Sequence, residues 1–156
     1  MALDRNHWRT AGLYMGAVVL VNVGFSLLPQ LDWFWSLVVG GVLVLRDLAQ
    51  RSWGHRTLAL MLAAALVSYL LGTPRFALAS ALAFLISETI DWLIYSFTKR
   101  PFADRVLISV AFSAPLDTAC FLLLAKIWSW PLFVIGLGAK LLSGVALSQL
   151  FRYRIG

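Results

Sequence analysis

Sulfur is nearly absent as a structural device. The chain has one cysteine, Cys120, which excludes an internal disulfide, and no second Cys or paired His stands beside it to make a zinc site. Charge is scarce as well: 13% of the 156 residues, against 61% hydrophobic residues and a mean hydropathy of +0.84. A soluble domain carries roughly 25% charged residues. The metalloprotease pattern HExxH and the serine-hydrolase elbow GxSxG are both missing, so no enzyme reading has a motif behind it. There is no filter or repeated ring of charge of the kind a channel needs. The net charge of +6 is spread over the ends of apolar segments and forms no basic stripe with interleaved polar residues, which excludes a nucleic-acid partner.

What is present is a succession of long apolar runs. They predict an all-α integral membrane protein, a single domain over residues 1–156 with membrane lipid as its surroundings. Cuts at Pro, Gly and charge clusters give six transmembrane helices, at about 10–28, 33–50, 57–72, 76–97, 105–126 and 131–150. The first is long enough to span and lacks a small-residue cleavage site, so it reads as a retained helix. The third is short for a hydrocarbon core of ~30 Å, which takes about 20 residues to cross. Breaks containing proline, "LLPQLD", "GTPR" and "WSWP", alternate with basic ones, "QRSWGHR" and "TKRPFADR".

With the N-terminus inside, the cytoplasmic side carries Arg5, Arg9, Arg51, Arg56, Lys99, Arg100, Arg105, Arg152 and Arg154, and the outer side only Arg75 and Lys126. That asymmetry predicts both termini in the cytoplasm and a multi-pass protein of the cytoplasmic (inner) membrane. Trp8, Trp33, Trp35, Trp53, Trp128 and Trp130 fall near span ends, where the headgroup region favours an amphipathic ring. Trp92 does not: it lies within a span, next to Asp91.

Asp4, Asp32 and Asp104 belong to termini or breaks and read as solvated charge, whereas Asp47, Glu88, Asp91 and Asp117 fall inside spans or at their edges. Each unpaired charge at the bilayer centre costs about 2.5–3.5 kcal/mol, so these acids must face one another, a base, or water. Glu88, Asp91 and Tyr95 share one helix face, as do Ser113 and Asp117. Lys140 lies on a small-residue stripe with Gly136, Ser143 and Gly144, close enough in character to admit a neighbouring helix, a ligand or a second copy of the chain as a homodimer. Asn22 adds an amide to the first span. Pro115 removes the helical partner of the Ala111 carbonyl and predicts a kink just before Asp117. Arg46, adjacent to Asp47 and after Gly40 and Gly41, reads as half of a local salt bridge at the cytoplasmic interface. Three central acids against one central base, Lys140, make a poor purely structural network, and intramembrane ionisable groups point to a ligand or proton pathway. A metal shared by carboxylates is disfavoured because these acids lie deep and Lys140 competes as counter-ion; no cofactor is expected. Carboxylates, an ammonium, an amide and a ring face together complement the edge of a guanine-like solute.

The runs "VLRDLAQRSWG", "ALAFLISETIDWLIYSF", "SAPLDTACFLLLA" and "GAKLLSGV" resemble, in order, those of the vitamin-uptake-like queuosine precursor transporters, six-helix proteins that take up 7-deazaguanines. The resemblance covers spans two to six. It implies that Asp47, Glu88, Asp91, Asp117 and Lys140 are functional positions, with Asn22 a looser match. The expectation is a carrier, not an enzyme, that imports a 7-deazapurine such as 7-cyano-7-deazaguanine. Asn22, Glu88, Asp117, Lys140, Ser113, Trp92 and Tyr95 are expected to bind the solute, and Asp47 and Asp91 to gate or couple protons. Two alternatives have the same six small helices: the substrate-binding membrane subunit of an energised vitamin-type transporter, and a structural membrane protein that transports nothing.

Overall fold

The computed structural model describes the backbone of residues 5–155 and the side chains of residues 7–153. Asp4 lies outside the described residues, as do the side chains of Arg5 and Arg154. Within them the chain is all helical: α1 (Arg5–Leu27), α2 (Asp32–Trp53), α3 (Thr57–Leu71), α4 (Ala77–Phe97), α5 (Phe102–Leu124) and α6 (Trp130–Ile155), with short 3-10 turns at Pro29–Leu31 and Gly54–Arg56. Five stretches are long and apolar enough to cross a membrane; one of them, Pro29–Leu71, takes in both α2 and α3. The 15 residues of α3 alone rise only ~22 Å.

Helix ends follow from local chemistry. Gly54 closes α2 at φ +58, its N–H donating to the Gln50 carbonyl. Pro101 caps the start of α5 and puts Asp104 in the first turn, where the helix dipole favours an acid. α5 stops at Leu124, short of the expected residue 126, because Lys126 adopts a left-handed conformation at φ 57. The Ile127 N–H reaches the Leu122 carbonyl at 3.0 Å and the Lys126 N–H reaches Leu123 at 3.1 Å, which is a Schellman closure made without glycine. The helices α1, α2 and α6 overrun their expected spans since an apolar run marks what lipid covers, not where hydrogen bonding ends.

The six helices close into a ring in the order α1, α3, α4, α5, α6, α2 and back to α1. α2 also reaches across to α4 and α5. The Trp53 indole N–H donates to the His7 carbonyl at 2.7 Å, Arg51 lies 5.0 Å over the Phe102 ring, and Phe102 meets Phe151 at 5.3 Å. The start of α1 and the end of α6 therefore share one end of the bundle, with Arg51, Arg105 and Arg152: the basic end. At the opposite end Ser26 Oγ donates to the Leu71 carbonyl at 3.1 Å and Phe76 packs on Phe121.

Burial is inverted relative to a soluble protein. Leu62, Leu66, Leu78, Val134 and Leu142 are exposed, while Arg46, Asp47, Glu88 and Asp91 are fully buried. Such a surface suits lipid. Small residues set the closest approaches. A Cβ on Gly40 would lie 2.5 Å from the Lys140 carbonyl oxygen, and one on Gly144 2.5 Å from Val110 Cγ1. The stripe of α6 thus packs against α2 and α5 of the same chain.

Candidate functional site

Two cavities enter the ring from its two ends. The larger, about 600 Å³, opens among the exposed residues Pro29, Thr73, Arg75 and Leu132 at the end opposite the basic one. It narrows towards Asn22, Ser36, Ser68, Asp117, Thr118 and Lys140, with Phe25, Phe84 and Phe121 as aromatic walls. The volume is in the range of small-molecule sites. The smaller, about 270 Å³, lies at the basic end against Gln50, Arg51, Gly54, His55, Tyr95, Ser96 and Arg105.

At the inner end of the larger cavity, Lys140 Nζ donates to Asp117 Oδ2 at 2.7 Å and to Thr118 Oγ1 at 2.9 Å. Ser87 Oγ donates to the other Asp117 oxygen at 3.2 Å. Asn22 Nδ2 donates to Ser68 Oγ at 3.0 Å and to the Val18 carbonyl at 2.8 Å. Asn22, Asp117 and Lys140, three residues singled out by the sequence, therefore meet at one cavity. α5 brings Asp117 there two residues beyond Pro115, and runs on through that proline as one helix.

Between the cavities lies a second, fully buried cluster centred on Arg46. Its guanidinium pairs with Asp47 at 2.6 Å, with Asp91, with Glu88 at 3.6 Å and with the Gln50 side chain. Tyr14 donates to Glu88 Oε2 at 3.0 Å and Ser109 to Asp47 Oδ2 at 2.8 Å. Gln50 Nε2 donates to Ser96 Oγ at 2.8 Å, and Tyr95 lies 6.0 Å from the guanidinium. Four helices are tied at this level: α1, α2, α4 and α5. Glu88 Oε1, Asp91 Oδ1 and Ser113 Oγ are buried here without a hydrogen-bond partner.

The expected constellation is thus divided in two. Glu88, Asp47 and Asp91 belong to the Arg46 cluster and do not line the large cavity. Ser113 is buried and does not line it either. Tyr95 lines the small cavity, and Trp92 stacks edge-on against His55 of the same cavity, at 5.5 Å. Arg46 is not interfacial: it is wholly buried and supplies the second central base that the charge count lacked. The cavity phenylalanines were also not singled out by the sequence.

Both halves of this arrangement suit passage of a solute: a polar, partly aromatic chamber open at one end, and a layer of ion pairs closing it from the other. No curated protein and no solved structure gives a match to the chain. Residues 13–153, most of the chain, match the transporter family described as "putative vitamin uptake transporter". Together with the apolar helices, that match identifies the chain as a multi-pass membrane protein belonging to the vitamin uptake transporter family.

Proposed function

We propose that the protein is a carrier importing a queuosine precursor such as 7-cyano-7-deazaguanine across the cytoplasmic (inner) membrane. All six helices span in one domain, α3 with its ends drawn towards the bilayer interior, and both termini are cytoplasmic. The positive-inside rule supports that orientation, since the basic end carries Arg51, Arg56, Lys99, Arg100, Arg105 and Arg152. The large cavity then faces outward.

The observation that carries the reading is the Asp117 and Lys140 pair at the closed end of that cavity. A carboxylate accepts N–H donors, an ammonium donates to a carbonyl, and the Asn22 amide oxygen, its NH2 already engaged, accepts, which together match the polar edge of a deazaguanine. Phe25, Phe84 and Phe121 offer faces to its fused rings. Asp47 and Asp91, held by Arg46, form the inner gate, and Tyr95 and Trp92 receive the solute beyond it.

In a strain unable to make the precursor, Asp117→Asn and Lys140→Ala are expected to abolish uptake. Wild-type uptake by both variants would overturn this site. Transport by the purified protein alone in liposomes, with no ATPase present, separates a carrier from the binding subunit of an energised system.

A further inference from the structure

We infer that the solute reaches Glu88 by displacing Arg46, and that the carried class is therefore solutes presenting two adjacent N–H donors on one planar edge, as a cyclic guanidine does. This deepens the carrier reading above and rests on it.

Val18 on α1, Val42 on α2 and Phe84 on α4 line the large cavity. Each stands four residues, one helical turn or about 6 Å, from a member of the buried cluster: Tyr14, Arg46 and Glu88 respectively. Ser87, the neighbour of Glu88, is already hydrogen-bonded to the cavity residue Asp117. Glu88 is thus the cluster acid next to the cavity, and Asp91 lies a turn further towards the basic end.

Glu88 is also the acid that Arg46 holds most loosely. Its contact with the guanidinium is 3.6 Å, against 2.6 Å for Asp47 and a closer one for Asp91. One Glu88 oxygen accepts from Tyr14, and the other is buried with no hydrogen-bond partner. Asp91 Oδ1 is unpartnered as well, but it lies a turn deeper, so Glu88 is the first such carboxylate a solute from the cavity meets, and it gains from a fork of two parallel N–H donors.

A guanidinium and the N–H edge of a cyclic guanidine offer the same fork, so they compete for one carboxylate. Because guanidinium–carboxylate ties join α2 to α4 at this level, a solute that takes Glu88 loosens the barrier it has to pass. A purine edge with a donor beside an acceptor cannot replace Arg46. It is held in the cavity and not carried.

The test uses the purified full chain. Arg46→Ala is expected to bind 7-cyano-7-deazaguanine about tenfold more tightly than wild type, the gain from removing a closed state that holds about nine-tenths of the molecules, while uptake falls. Millimolar methylguanidinium, compared with potassium chloride at equal ionic strength, is expected to raise the melting temperature of Arg46→Ala and to weaken its solute binding. Once Glu88→Gln is added, the weakening of solute binding should vanish, and the rise in melting temperature, which Asp47 and Asp91 still support, should shrink. If Arg46→Ala does not fold, Arg46→Lys keeps the charge, loses the fork and serves in its place, with tighter binding and slower uptake expected.

Unchanged solute affinity in the Arg46 variant, or methylguanidinium competing with the solute equally with and without Glu88, would overturn the displacement. If no deazaguanine binds either protein while methylguanidinium raises the melting temperature of Arg46→Ala more than that of the same variant carrying Glu88→Gln, the carrier reading for that solute fails and the guanidinium-shaped site stands.

Discussion

Asp117 and Lys140 neutralise each other at 2.7 Å, and each has an uncharged second partner, Ser87 and Thr118. Removing one member of a fully buried pair strands the other charge at a cost of about 3–5 kcal/mol, whereas replacing both costs far less; here the cost is smaller, because Asp117 is half-buried and faces the cavity. Lys140→Met and Asp117→Asn are each expected to lower the melting temperature of the purified protein, and the double variant to recover most of the loss. A double variant as unstable as the two effects summed would mean that the side chains act independently. These two residues were legible in the sequence because a charge in mid-span has strong contrast with its neighbours. Arg46 had less contrast. Adjacent helical residues point about 100° apart, so an Arg beside an Asp near a span end resembles a local pair. The overlooked signal was the buried stripe Ser36, Gly40, Leu43, Asp47 and Gln50, which turns the whole length of α2 inward. Phe84 and Phe121 gave no signal at all, since a phenylalanine on a cavity reads the same as Phe112, which is exposed.

Among the helices, α2 is the one that leaves the wall of the ring, contacting every other helix in it. Its approach to α6 depends on Gly40, where an added Cβ would meet the Lys140 carbonyl oxygen at 2.5 Å and Ser143 Cβ at 2.8 Å. At Gly41 the nearest atoms are 3.8 Å away. Gly40→Ala is therefore expected to destabilise the protein by about 1–3 kcal/mol, as overpacking does, and to weaken solute binding through the shifted Lys140. Gly41→Ala should leave both within error. Equal effects of the two substitutions on thermal melting would show that the α2 and α6 contact is not tight at Gly40. The existence of all six helices was legible from apolar runs and their punctuation. Their ends were less so, as at Lys126, where a backbone conformation usually reserved for glycine closes α5.

At the scale of the molecule, the closed order of helices could not be read from the chain, because lipid-facing and helix-facing apolar residues share one composition. Orientation rests instead on the up-and-down alternation of consecutive helices, which gathers the basic breaks at one end. In a Cys120→Ser background, a membrane-impermeant thiol reagent added to intact cells is expected to label Lys126→Cys and to spare Lys99→Cys. The reverse pattern would invert the proposed topology. One wall of the ring has a further consequence. α3 has 15 residues, yet its Ser68 lines the deep part of the large cavity. A helix too short for its surroundings strains them by fractions of a kcal/mol per Å of mismatch. Acyl-chain length is then expected to act on this protein: transport should run faster in dimyristoleoyl than in dierucoyl phosphatidylcholine vesicles, and a cell that lengthens its lipids would slow it without altering a residue of the large cavity.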